Sequence, residues 1–274
     1  MIAEAARAKT NLGLAVLGRR PDGYHELHTL FATLDLADRV VLELRPRGIE
    51  LVVRGAELSS GPENLAYAAA QAYLAAAGVG AGVRVVLEKR IPVAAGVGGG
   101  SADAAAVLRG LERLLGAGVD LFALARKLGA DVPFLLEGGL AEARGIGEEL
   151  RLLEPRRLFF VLLNPGLPVS TRAVYRALSP EDYGPPLRVE AILEALEAGR
   201  APPWRNDLEG AAFRLYPELG RLKAELVELG LSPLLSGSGA TFLVPAPSGA
   251  EAERIAGLLK ERYPGAWIRA VRTA

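Results

Sequence analysis

The sequence predicts an α+β fold, on three observations. Segments with strand periodicity and segments with helix periodicity both occur, without strict alternation along the chain. Half of the residues are hydrophobic, enough to bury an ordinary core in 274 residues arranged as one large domain or two smaller ones. A glycine-rich run from Pro92 to Ser101 separates a strand pattern from a helix pattern and can itself form neither.

The elements follow in order. The first sixty or so residues are β-rich: VVLEL and IELVV alternate or run apolar, with Pro46-Arg47-Gly48 as the turn between them. ENLAYAAAQAYLAAAG reads as a helix stopped by Gly78. VRVVLEKRI alternates as a strand, and PVAAGVGGG follows it. SADAAAVLRGLERLLG is a helix with Ser101 at its start, and DLFALARKLG is another. LFFVLL is a buried strand closed by the turn NPG. Helices are expected over Thr171–Leu178, Val189–Glu197 and Asp207–Leu229. SPLLSGSGATFLV reads as strand, glycine turn and strand; AERIAGLLKERY is the final helix and WIRAVR the final strand. A domain boundary is placed near Glu154-Pro155, dividing the chain into 1–155 and 156–274.

Composition narrows the partners. Lys+Arg and Asp+Glu are equal at 32 each, so no overall charge favours nucleic acid or a membrane surface, although a local basic pocket for a phosphorylated ligand is compatible with it. The absence of cysteine excludes disulfides, thiolate zinc sites and cysteine nucleophiles. The first twenty residues lack a leader pattern, and no apolar run has the length of a membrane span. The expectation is a cytoplasmic protein with small-molecule ligands, no nucleic-acid or membrane partner and no obligate protein partner.

Strand, glycine-rich loop and helix form an arrangement that binds phosphate. Glycines bring backbone N–H groups close to an anion, and the N-terminus of the next helix adds its dipole and free donors. Gly96, Gly98, Gly99 and Gly100 lead into such a helix. The loop is not a P-loop, because no Gly-Lys pair occurs in the chain. Nor does it match G-x-G-x-x-G: counted from Gly96 the last position is Ser101, and counted from Gly98 it is Asp103. A plain turn would explain four glycines poorly, since each adds conformational entropy that folding must overcome.

PVAAGVGGGSADAAAVL resembles the second motif of the GHMP kinases (galactose, homoserine, mevalonate, phosphomevalonate), written P-x-x-x-G-L-G-S-S-A-A. AKTNLGL resembles their first motif and LLSGSGATFLV their third, in the same order and spacing. The resemblance implies a two-domain GHMP kinase fold, with ATP as phosphate donor and Mg2+ accompanying it. It places ATP on Pro92, Val93, Ala94, Ala95, Gly96, Val97, Gly98, Gly99, Gly100, Ser101 and Ala102. Ala102 departs from the motif by lacking the hydroxyl of a second Ser. No metal ligands are assigned.

KTNLGLAVLGRRPDGYHELHTLF, GADVPFLLEGG and Gly145–Glu148 are similar to one branch of the family. That branch phosphorylates a cytidine-diphosphate-linked sugar alcohol in the non-mevalonate isoprenoid pathway. The resemblance makes Asp131 the base for the substrate hydroxyl and puts Lys9 beside it, where a cation stabilises a developing alkoxide. It assigns the substrate to Asn11, Tyr24, His25, Phe31, Thr171 and Tyr175, with Tyr24 stacked on cytosine, His25 bonded to its edge, and Tyr175 on the other side.

Plainer readings stand beside these roles. Asp131 suits a helix terminus, Asn11 a strand end, and isolated aromatics commonly pack in cores. Asp103 reads as a first-turn carboxylate favouring the helix dipole, in preference to a magnesium ligand. His25 and His28 are not a metal pair, since odd spacing on a strand puts them on opposite faces. Three other functions remain open: a GHMP kinase for mevalonate or homoserine, a nucleotide-binding protein without catalysis, and a dinucleotide oxidoreductase.

Overall fold

The computed structural model describes residues 1–274. The chain forms two compact units, one of Met1–Lys9, Leu36–Val93 and Gly98–Gly138, the other of Thr10–Asp35, Ala94–Val97 and Gly139–Ala274. Two long strands, β1 (Ile2–Arg19) and β2 (His25–Arg45), contribute residues to both.

In the first unit the later half of β2 pairs antiparallel with β4 (Gly82–Glu88), and β3 (Ile49–Arg54) pairs parallel with β4. One face of β4 is buried through Val83, Val85 and Leu87, the alternation expected of a half-covered strand. β4 ends before Ile91, the predicted limit, because the Asp38 carboxylate takes the N–H groups of Arg90 and Ile91 that a ladder would need. α1 (Leu65–Ala77) begins at Asn64, whose side chain accepts from Ala66 N, and stops at Gly78 as predicted. α2 (Gly99–Leu115) buries Ala104, Val107, Leu108 and Leu111, and the Tyr73 hydroxyl of α1 donates to Glu112 at 2.7 Å.

α3 (Leu121–Leu128) is capped by Asp120. α4 (Val132–Glu137) was not predicted; six residues offer too few turns for a periodic signal.

In the second unit β2 pairs over Thr29–Ala32 with β5 (Leu140–Arg144), which pairs with β6 (Glu149–Leu153), all antiparallel. A second, antiparallel sheet contains β7 (Phe159–Asn164), β8 (Leu234–Leu235), β9 (Phe242–Ala246) and β10 (Trp267–Arg272), in the order β10-β7-β9-β8. Its helices are α5 (Thr171–Arg176), α6 (Val189–Glu197), α7 (Glu209–Leu215), α8 (Pro217–Glu228) and α9 (Gly249–Arg262).

The single helix expected over Asp207–Leu229 is two helices. Pro217 lacks an N–H and pushes Tyr216 out of helical geometry, to φ −130° and ψ 77°. Val161, Leu163, Phe242, Val244, Ala256 and Leu259 form the centre of this unit's core. No helix is long and apolar enough to cross a membrane.

Candidate active site

The first unit holds the entry and exit of the glycine run. β4 leads through Lys89, Arg90 and Ile91 to Pro92 and Val93, and Gly98 caps α2 from the left-handed region at φ 71°. A side chain at Gly98 would be strained, and its Cβ would lie 2.8 Å from Lys9 Cγ. Lys9, buried on β1, therefore packs directly against the turn that opens α2. Its Nζ lies 3.3 Å from Asp131 Oδ2, and Asp131 stands at the N-cap of α4 with its side chain 32% exposed. The structure thus brings together a lysine, a solvent-reachable carboxylate and the start of a helix whose first N–H groups lack intrahelical partners.

Asp103 corrects the sequence reading. α2 starts at Gly99, two residues before Ser101, so no acidic residue occupies its first turn and Asp103 lies deeper in the helix. The partner of its carboxylate is the Lys89 ammonium, at 2.7 Å, in place of the helix end. Ser101 is half-buried and Ala102 buried in the same turns.

In the second unit hydrogen bonds join residues of all three glycine and lysine motifs. Ser236 Oγ donates to Gly96 O at 3.0 Å and lies 3.1 Å from Thr10 Oγ1, and Thr241 N donates to Ala95 O at 3.3 Å. Gly96, at φ 74°, has no room for a side chain: a Cβ would meet the carbonyl oxygens of Ser236 and Gly239 at 2.5 and 2.6 Å. Ala94 adopts φ 54°, and Val97 is buried. Asn206, which sequence reasoning passed over, holds the third motif: its Nδ2 donates to Leu235 O at 2.8 Å and Gly237 O at 2.6 Å. Its sequence signal, Asn-Asp before a helix, reads only as a cap. Thr171 Oγ1 lies 2.8 Å from Ser238 Oγ, so Thr171 too touches this turn.

The aromatic residues group around His25. Its ring centroid is 5.6 Å from that of Tyr175 and 6.0 Å, edge-on, from that of Tyr183. Tyr183 gave no sequence signal, lying in a short turn after Pro180–Asp182. Burial, then the nearby Arg19 charge, lowers the His25 pKa, favouring a neutral ring with one donor and one acceptor. Tyr24 is 60% exposed at the end of the turn that begins at Arg20.

Asn11 and Phe31 are buried. Asn11 Nδ2 donates to Thr29 Oγ1 at 2.7 Å, and its Oδ1 would lie 3.6 Å from a Cβ on Gly237. Phe31 stands opposite Ala141 between β2 and β5. His28 is buried apart from His25: its Nε2 donates to Glu142 Oε1 at 2.8 Å and its Nδ1 accepts from Leu187 N at 2.9 Å, so both nitrogens serve the fold.

The family described as GHMP kinases N terminal domain matches residues 64–139, and GHMP kinases C terminal matches residues 188–265. The 4-diphosphocytidyl-2-C-methyl-D-erythritol kinase of Thermus thermophilus is 55% identical over 266 residues, covering 97% of this chain and 93% of that protein. The enzyme of the same name from Deinococcus radiodurans is 45% identical over 275 residues, covering 97% and 91%.

A crystal structure of 4-(cytidine 5'-diphospho)-2C-methyl-D-erythritol kinase superposes with a TM-score of 0.90 at 52% identity, covering 100% of both chains. A homoserine kinase from Cytophaga hutchinsonii, at 18% identity, TM-score 0.68 and coverage of 99% and 94%, shares the fold. With relatives this similar over nearly its whole length, the chain belongs to the 4-diphosphocytidyl-2-C-methyl-D-erythritol kinase family of GHMP kinases, and it is a kinase that uses ATP.

Proposed function

We propose that this kinase transfers the γ-phosphoryl group of ATP to the 2-hydroxyl of 4-diphosphocytidyl-2-C-methyl-D-erythritol, giving the 2-phosphate and ADP in the non-mevalonate isoprenoid pathway. The observation that carries the reading is the Lys9–Asp131 pair, 3.3 Å apart, with Lys9 against the glycine turn that opens α2. Asp131 takes the proton of the substrate hydroxyl, the oxygen bonds to the γ-phosphorus, and the bond to ADP breaks. Lys9 stabilises the negative charge that develops on the attacking oxygen and on the transferred group. The backbone from Pro92 to Ala102 cradles the ATP phosphates, aided by the N-terminus of α2.

Magnesium enters this reading as a counter-ion of ATP. No group of three or more His, Asp or Glu side chains is placed to hold an ion, Ala102 has no hydroxyl, and Asp103 is engaged by Lys89. These residues do not fit a protein-held cation site, and no step is assigned to the ion.

Tyr24 and Tyr175 stack on the cytosine, His25 reads its edge, and Asn11, Phe31 and Thr171 shape the rest of the substrate site. The His25–Tyr175 ring contact and the exposure of Tyr24 support this role. Residues 1–155 and 156–274 act as the N-terminal and C-terminal kinase domains, a division supported by family matches on either side of it. The compact units cut the chain differently: β1 and β2 contribute to both, and Ala94–Val97 and the residues from Gly139 onward belong to the second.

A substrate panel tests the reading. The chain with ATP should form ADP and a phosphorylated product from the cytidyl alcohol, and neither from mevalonate nor homoserine. Tyr24→Ala should raise the KM for the cytidyl alcohol by the about 1–3 kcal/mol of base stacking and leave the KM for ATP unchanged. His25→Ala should narrow the preference for the cytidyl over the uridyl compound. Phosphorylation of mevalonate in place of the cytidyl alcohol would overturn the assignment.

A further inference from the structure

Beside the first turns of α2 lie three charged side chains that the reaction above does not use. Asp38, Lys89 and Asp103 have side chains 0%, 4% and 3% exposed. Lys89 Nζ donates to Asp38 Oδ2 at 2.5 Å and to Asp103 Oδ2 at 2.7 Å. Asp38 Oδ1 accepts from the backbone N–H groups of Arg90 and Ile91, the latter at 2.8 Å. Arg90 and Ile91 immediately precede Pro92, where the glycine run begins; Asp103 follows its last residues. One ammonium therefore ties the chain entering the run to the chain leaving it. A Cβ added to Gly99 would lie 3.1 Å from Ile91 Cγ2 and 3.4 Å from Lys89 Nζ, so the cluster also touches the opening turn of α2 itself.

Two further facts separate this cluster from ordinary packing. Well-packed apolar residues could join β4 to α2 without the desolvation cost of three buried ionisable groups. What ions add is direction: three acceptor oxygens and one ammonium fix both ends of a flexible run in one geometry. In addition, Asp103 Oδ1 is buried without a hydrogen-bond partner. Burial first, and the Asp38 charge after it, push the Asp103 carboxyl up to about 7 against the pull of Lys89.

We infer that Asp38, Lys89 and Asp103 are positioning residues of the kinase: a buried ion cluster that holds the two ends of the ATP loop in register, so that the nucleotide meets a pre-formed cradle. The inference rests on the reading of Pro92–Ala102 as the ATP loop. A loop rich in glycine loses much conformational freedom when it closes on phosphate, and anchoring its ends beforehand reduces that loss.

The test uses the full chain and measures ATP dissociation constants by calorimetry, KM for both substrates, kcat and thermal unfolding. Asp103→Leu leaves Lys89 and Asp38 as a balanced pair and so spares the fold, whereas removing Lys89 would strand two buried carboxylates. Asp103→Leu should weaken ATP binding and raise the KM for ATP at least tenfold, with the KM for the cytidyl alcohol unchanged. Asp103→Asn, which still accepts from Lys89, should recover most of that loss. If the leucine variant does not fold, Asp103→Ser takes its place with the same readouts.

A folded variant that binds ATP within twofold of the parent, with only a lower Tm, overturns the inference, as does an asparagine variant no better than leucine. Gly98→Val separates this from failure of the loop reading: if ATP does not use the loop, Gly98→Val also leaves its dissociation constant unchanged.

Discussion

At the scale of single residues, the structure pairs two unremarkable positions, Lys9 and Asp131. In the sequence Lys9 is one cation on a strand and Asp131 one carboxylate before a proline; only the 3.3 Å contact makes them a unit. Asp131→Asn keeps the shape of the side chain and removes the carboxylate proposed as the proton acceptor. It should lower kcat by roughly 10²–10⁴ with little change in the ATP dissociation constant, the range for loss of a general base. Lys9→Ala should lower kcat less, since on the proposed mechanism it removes charge stabilisation and leaves the base in place. Single-turnover kinetics on both variants checks this, and near-normal turnover in either removes that residue from the mechanism. Asp103 shows the opposite relation: the lysine that answers it lies outside the helix, so the helix pattern alone points to the dipole.

At the scale of elements, α2 and the loop before it behave as one structure. A side chain at Gly98 would keep the backbone away from phosphate. The structure adds a second reason, the 2.8 Å approach a Cβ would make to Lys9 Cγ. Gly98→Val should therefore weaken ATP binding and, on the role proposed for Lys9, also lower kcat by displacing that lysine. The left-handed conformation should cost the variant about 1–2 kcal/mol of stability as well. Calorimetry with ATP and thermal unfolding together read these effects, and unchanged nucleotide affinity would contradict the loop assignment. Elements with regular patterns such as α1, α6 and β10 follow their sequence signals closely. α4 was too short to announce itself, and the break before α8 depended on what Pro217 does to Tyr216.

At the scale of the whole molecule, stability should respond to pH through Asp182. This carboxylate accepts from Arg214 Nη2 at 2.6 Å, Arg214 Nη1 at 2.9 Å and Ser179 N at 2.9 Å. The Arg214 hydrogen bonds above all hold its pKa down, at about 2. The unfolded value is about 3.9, so the pair contributes its full stability above about pH 4 and loses it as pH falls toward 2. Asp182→Asn should unfold at a lower temperature than the parent at pH 7, and the gap should close below pH 4; a gap independent of pH would exclude the ion pair as its cause. The sequence by itself determined the α+β class, most helices, the three motifs, the family and the glycine loop, because these signals are contiguous or periodic. Only the tertiary structure decided which side chains answer one another: Lys9 with Asp131, His25 with Tyr175 and Tyr183, Asn206 with the third motif, and Asp103 with Lys89. Those partners lie apart in the chain, and hydrogen bonds and ion pairs act over a few ångströms, a distance that only folding sets.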